Sequence, residues 1–331
     1  MSARTAGKRR AGVKIVALRV AALHIAVVVA LFALQFALPE YHRLGVTRIM
    51  ILAVFAIGYN ILFGYTGLLS LGHAMFFGAG LYAAGLTAYH LGWSVPLAFA
   101  AGVGAVALLG LAVGCVALRT TGVSFMIVTL MFSQVAYLAT LYFTEYTRGD
   151  EGLVLPAAAR GFNALGARID LTDPTTRYNI ALALLALAIA LAYALARSGI
   201  GRAMVAIREN EPRARMLGYN TFAIKLQALV VSAALSSAAG AAYALLFAYL
   251  GSSFAAIQYS IDALLYTLLG GAGTVLGPVV GAFLMFYLVD VASQYTSAHL
   301  LVVGVALVLL VLYFPRGILG TIKHRRAPWL P

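Results

Sequence analysis

Residues 264–282 read LLYTLLGGAGTVLGPVVGA. Gly270, Gly271, Gly273, Gly277, Pro278 and Gly281, with Thr274 among them, crowd a stretch that carries no charge. In a helix interior glycine costs about 1 kcal/mol against alanine and proline about 3 kcal/mol. A cluster of them ends a helix. The flanks are nevertheless as apolar as the rest of the chain. Of its 331 residues 63% are hydrophobic and only 10% charged, where a soluble protein carries about a quarter charged residues. Several apolar runs reach the roughly 20 residues that cross a bilayer. The reading that follows is an all-α, polytopic membrane helix bundle. A broken helix at membrane depth must turn its exposed backbone groups toward protein or a water-filled cavity. Gly270–Pro278 is therefore expected to line a pathway or a subunit seam.

Working outward, the apolar runs place about ten transmembrane segments, at 15–38, 47–64, 68–91, 95–117, 122–143, 177–196, 223–250, 260–276, 278–296 and 299–315. The eighth is short and is expected either to span or to re-enter. With both termini cytoplasmic, the inner pieces 1–14, 118–121, 197–225 and 316–331 hold 16 of the 23 Lys and Arg residues. Six of the ten acids fall outside. Ten crossings thus satisfy the positive-inside rule at every long loop. The organisation is a basic cytoplasmic N-terminus (1–14), a transmembrane domain (15–315) and a basic cytoplasmic tail (316–331). A net charge of +13 then sets topology and does not signal nucleic acid. The run after MSARTAGKRRAGVK is longer than a signal-peptide core and reads as an anchor. One cysteine, Cys115, excludes an internal disulfide and a cysteine-based metal site.

Two loops stand out. Residues 144–177, outside, are rich in Gly and Pro and have room for a short surface helix. Residues 197–222, RSGIGRAMVAIRENEPRARMLGYNTF, form the largest inner loop. There Asn210 or Glu211 suits a helix cap, Pro212 its first turn and Gly218 its end. A capped helix over about 211–217 reads as a docking surface, with a solvated connector as the alternative. A weak internal repeat sets GLLSLGHAMFFGAGLY (67–82) beside GAGTVLGPVVGAFLMFY (271–287), pairing segments one to four with seven to ten.

Ionisable groups within the membrane are functional candidates by default, and few occur. Asp262, suited to a helix N-cap, and Asp290 lie toward the outer surface and read as structural. His73 follows Gly72 at the start of an outward helix, where it either lines a pathway or hydrogen-bonds a neighbouring backbone. Small residues four apart (Gly110/Gly114, Ala74/Gly78, Gly80/Ala84, Ser236/Gly240) let helices approach closely. A second break, around Gly64, Gly67 and Gly72, joins Gly270–Pro278 as a candidate pathway lining or seam. No phosphate-binding GxxxxGK[ST], GxSxG or HExxH occurs. The chain is not expected to be an enzyme or to hold a cofactor of its own.

GYNILFGYTGLLSLGHAMFFGAGLY (58–82) resembles the signature of permease subunits of bacterial branched-chain amino acid ABC importers. ALRTTGVSFMIVTLMFSQ (117–134), TRGDEGL (147–153), residues 201–241, LGGAGTVLGPVVGA (269–282) and FPRGILG (314–320) match in order. The resemblance covers about 45–320 and points to the longer of the two permeases of such systems. It implies an inner-membrane complex with a second permease, two cytoplasmic ATPase subunits that use the ATP, and a periplasmic binding protein. Between the sixth and seventh segments it implies a coupling helix carrying Arg208, Glu211, Ala214 and Gly218, with Arg213 where the family has alanine. The cargo implied is a branched-chain amino acid. Urea, amides or other amino acids in the same architecture are the nearest alternative. A secondary transporter is a more distant one, since it would need mid-membrane acids.

Overall fold

The computed structural model describes residues 3–164, 167–314 and 316–325. Residues 1–2 of the basic N-terminus, Leu165 and Gly166 of the outer loop, Pro315 and residues 326–331 of the basic tail lie outside the described residues. The chain is helical almost throughout. α1 (Ala3–Ala37) is followed by α2 (Glu40–Asn60), which runs into a π turn (Ile61–Tyr65), then by α3 (His73–His90), α4 (Val95–Ala117), α5 (Val123–Tyr142) and the single-turn α6 (Thr144–Thr147). Next come β1 (Leu153–Val154), β2 (Gly161–Ala164) and β3 (Ala167–Asp170). The second half holds α7 (Pro174–Arg197), α8 (Gly199–Glu209), α9 (Glu211–Met216), α10 (Thr221–Phe247), β4 (Tyr249–Leu250), α11 (Ile257–Gly270), α12 (Gly277–Tyr295), α13 (His299–Tyr313) and α14 (Ile318–Arg325).

Every one of the ten expected segments contains a helix, and among the described residues seven helices are long and apolar enough to cross a membrane. The other three are α3, α11 and α13. α3 is long enough but less apolar, and most of it is buried against α10, α4 and α5, so it has little lipid to satisfy. Four boundaries differ from expectation by five residues or more. α1 starts at Ala3 and not at 15, α2 at Glu40 and not at 47, α3 at His73 and not at 68, and α11 ends at Gly270 and not at 276. The last two shifts have one cause: the glycine clusters stay outside the helices. The loop over 144–177, expected on the outside, also differs. It holds α6, but its main feature is strand pairing, β2 with β3 and β1 with β4, both antiparallel. Arg160 leaves this loop to donate to the Leu245 and Leu246 carbonyls at 3.3 and 2.7 Å. It thereby satisfies carbonyls at the C-terminus of α10, where a cation also suits the helix dipole.

α2 and α10 form the axis of the bundle, with 89% and 83% of an 18-residue apolar stretch of each buried, against 17% in α5. Around them the packing falls into two similar sets. α10 packs on α3 and α4, which pack on each other; α2 packs on α11 and α12, which do the same. This pairs segment two with seven, an offset of five, and not the offset of six that the sequence repeat suggested. Small residues make the first set possible. A Cβ at Gly240 would overlap the Phe77 carbonyl, and one at Gly80 would overlap Ser237. The Ser237 hydroxyl donates to the Gly102 carbonyl at 3.0 Å, which stitches α10 to α4.

Candidate functional site: the junction of two helix breaks

The break after α2 and the break after α11 meet. α2 loosens into its π turn at Ile61–Tyr65, and residues 67–72 run without helix until His73. α11 stops at Gly270. Gly271 and Gly273 follow with φ of +119° and +74°, a region that L side chains adopt only with strain. The Thr274 hydroxyl donates to the Gly271 carbonyl at 2.7 Å and closes the turn. Gly277 and Pro278 then start α12, with the proline in its first turn.

Asn60 holds the two breaks together. Its Nδ2 donates to the Thr274 carbonyl at 2.9 Å, and its Oδ1 accepts from the Gly273 N–H at 2.9 Å. The complementary donor and acceptor on the turn fix which way the amide points. Gly64 leaves the necessary room: a Cβ there would overlap the Asn60 amide and sit 2.5 Å from the Gly273 nitrogen.

A second side chain enters from outside the span. Arg208, at the end of α8, donates from Nη1 to the Gly64 carbonyl and from Nη2 to Glu209 Oε1 at 2.8 Å. Cβ atoms at Gly67 and Gly273 would lie 2.8 and 2.9 Å from its side chain, one on each break. So a guanidinium from the α8–α9 segment is lodged between both. α14 lies on the same junction: a Cβ at Gly271 would be 2.7 Å from the Gly320 nitrogen. On α14 the Lys323 ammonium is pushed below the ordinary lysine value, first by burial and then by the Arg208 charge.

Arg208 is rigidly linked to the expected coupling helix. Only Asn210 separates α8 from α9, and its side chain accepts from the Arg213 N–H at 2.9 Å, capping α9. Glu211 binds Lys225 of α10 and, at 2.9 Å, Arg215. Partial burial disfavours the Glu211 carboxylate, but the hydrogen bond and charge of Lys225, helped by Thr221 and Arg215, outweigh it. Its pKa is held below the usual carboxylate range. Ala214 is buried. Gly218, with φ of +88°, turns the chain out of the helix, and nothing crowds the place of its missing Cβ. Met216 and Leu217 are left 81% and 71% exposed at the tip, an apolar end with no cover in this chain.

Of the residues singled out from sequence, Gly64, Gly67, Gly270, Gly271, Gly273, Thr274, Gly277 and Arg208 come together here. Glu211, Ala214 and Gly218 lie one short helix away. Gly72 and His73 do not join them. Gly72 packs on α5, where a Cβ would overlap the Thr129 carbonyl. His73 is fully buried, with Nε2 2.7 Å from the Ser232 hydroxyl, which itself donates to the Gly58 carbonyl. Of the two expectations for His73 this is the hydrogen-bonding one, with a serine between the imidazole and the backbone. Asp262 is not an N-cap either, since α11 begins at Ile257. The sequence reading missed Asn60 and Lys225. Asn60 left a signal: it is a lone amide four residues before Gly64 in an apolar run.

Over residues 43–313 the chain matches the family described as branched-chain amino acid transport system / permease component. It belongs to that family. It is 30% identical over 317 residues to the high-affinity branched-chain amino acid transport system permease protein LivM of Escherichia coli (strain K12), covering 88% of this chain and 74% of that protein. The LivM of Salmonella typhimurium is 29% identical over 82% of this chain and 68% of its own length. LivH of Escherichia coli (strain K12) is 28% identical over 83% of this chain and 93% of that protein. No solved structure matches the chain. The family and the seven apolar helices make this a multi-pass inner-membrane protein, and the likeness is to the longer, LivM-type permease.

Proposed function

We propose that this permease is one of two different permeases of an ATP-driven importer and passes branched-chain amino acids inward by alternating access. Both termini and the α8–α9 unit face the cytoplasm. Two ATPase subunits dock there, and a periplasmic binding protein delivers cargo at the other end. The chain needs no cofactor; its partners use the ATP.

One observation carries the mechanism: Arg208, attached to α9, is lodged between the two breaks. A push on the exposed tip of α9 moves α8 with it and withdraws the guanidinium from the Gly64 carbonyl. The two turns then lose the donor that fills the space between them. Exposed backbone groups of Gly64–Gly67 and Gly271–Thr274 become the inner lining of a water-filled path. A zwitterion with an apolar side chain can move along such a lining without meeting a fixed buried charge. The family and the named function of its relatives support the cargo.

The test is reconstitution of the whole importer. Gly218→Trp forces a bulky residue into positive φ, and Glu211→Trp removes the anchor to Lys225. Both are expected to abolish leucine uptake while ATP hydrolysis and capture by the binding protein persist. Wild-type uptake in these variants overturns the coupling role. Accumulation of leucine by vesicles that contain this chain alone overturns the importer reading as a whole.

A further inference from the structure

A pocket of about 480 Å³ opens at the opposite end of the bundle from Arg208, between the first turns of α2, the start of α11 and the end of α12. Its size falls within the roughly 300–1,000 Å³ of small-molecule sites. Arg48, Asp262 and Asp290 line it together with Tyr259, Tyr266 and Phe286. The charges are arranged unusually. Asp290 accepts from the Tyr41 hydroxyl at 2.7 Å and lies 3.4 Å from Gln294 Nε2. The Gln258 side chain, one turn back, interacts with the Asp262 carboxylate. Arg48 sits over the Phe247 ring at 5.6 Å. Among the described residues neither Arg48 nor Asp262 has an ion-pair partner. Opposite charges that line one cavity at the edge of a membrane would normally neutralise each other. Here both remain turned to a shared space with aromatic walls.

We propose that this pocket receives a zwitterionic α-amino acid with an apolar side chain. The inference rests on the reading of the chain as an amino acid permease and gives that reading an outer substrate site. Arg48 takes the carboxylate and Asp262 the ammonium, so these two charges gain the partner each lacks, while Asp290 keeps its hydrogen bond from Tyr41. Tyr259, Tyr266 and Phe286 take the side chain. A cargo with only one of the two charges leaves one protein charge unpaired, so the site selects for a zwitterion by desolvation alone. A neutral cargo such as urea can hydrogen-bond both groups but neutralises neither charge.

The test uses the purified assembly with its companion permease and ATPases, without the binding protein. Leu44, exposed on the rim, is changed by Leu44→Cys in a Cys115→Ser background and labelled with a small maleimide. Millimolar leucine is expected to slow labelling severalfold. 4-Methylpentanoate, which lacks the ammonium, and leucinamide, which lacks the carboxylate, are expected to protect little. Adding Arg48→Gln or Asp262→Asn is expected to remove protection by leucine in assemblies that still co-purify intact. Labelling unaffected by leucine, in an assembly that takes leucine up when the binding protein is added, overturns the pocket. Protection by leucine without uptake overturns the transport reading and leaves the pocket standing. Equal protection by all three compounds overturns zwitterion recognition.

Discussion

Glycine serves two opposite purposes in this molecule. Along the contact of α3 with α10 it stays inside regular helices. Gly240 faces the Phe77 carbonyl and Gly80 faces Ser237, so the two backbones come close together. At the junction of the two breaks it ends helices. Gly64 and Gly273 expose backbone groups that Arg208 and Asn60 satisfy, and the Gly271 carbonyl accepts from the Thr274 hydroxyl. The first region is held by packing over many atoms and has no cheap alternative arrangement. The second is held by two side chains, one of which is attached to a helix at the surface. The same residue type therefore builds both a contact of packed backbones and a junction of opened ones.

The comparison breaks most visibly if the close-packed contact tolerates bulk. Gly240→Leu is expected to have the largest effect of all. Its side chain meets a carbonyl and not a flexible neighbour, so the helices must separate. Overpacking costs about 1–3 kcal/mol and sometimes more, against a total stability of about 5–15 kcal/mol. The expected outcome is loss of a monodisperse peak in detergent. Gly104→Leu, in α4 where a Cβ meets nothing, is the control and is expected to elute normally. If both elute alike, close backbone contact does not hold the bundle together.

At the junction the expectation reverses: fold kept, function lost. Arg208→Ala leaves the Gly64 carbonyl without its donor, at about 1–3 kcal/mol for an unsatisfied buried group. A bias of about 1.4 kcal/mol between two gate states is already tenfold in their ratio. Uptake by the reconstituted importer is expected to fall at least that far, with a normal elution profile. Arg208→Lys has one compact charge in place of a planar fork and is expected to recover only part of the loss. Full uptake by Arg208→Ala would show that the guanidinium is a spectator.

Asn60→Leu comes next. It orphans the Gly273 N–H and the Thr274 carbonyl together. Each loss is worth about 1–3 kcal/mol, eased where water reaches the turn. A fall in melting temperature with a severalfold loss of uptake is expected. A melting temperature equal to wild type would mean that the two breaks are not joined through Asn60.

These two regions were not equally legible in the sequence. The break at Gly270–Pro278 and the capped helix after Asn210 follow from local rules, because propensity and capping are properties of adjacent residues. The helix ends followed less well: the third segment begins five residues later than its apolar run, since hydropathy does not register where glycine leaves the helix. The meeting of Asn60 with Gly273 spans 213 positions, and no periodicity connects them. The same holds for the outer strands, where β1 pairs with β4 across almost a hundred residues. His73 was ambiguous for a related reason. Whether a buried imidazole faces water or a serine depends on α10, and its own helix says nothing about that.

The smallest effect expected lies one short helix away from the junction, in the Glu211–Lys225 link. The pKa of Glu211 is depressed in the folded protein. The stabilisation this represents is complete above the unfolded value, about 4.3 for a glutamate, and is lost as pH falls through the lower folded value. Near neutral pH the link is therefore intact and insensitive to small changes. Glu211→Gln is expected to remove the acid-side step, so that wild type and variant converge in stability at low pH and differ slightly, by less than about 1 kcal/mol for so exposed a group, near neutrality. Thermal melts of both proteins between neutral and acid pH read this directly. A constant gap between them at every pH would mean that the carboxylate contributes through packing and not through its charge. The tie of α9 to α10 would then resemble the close-packed contact of α3 with α10 more than the junction it controls.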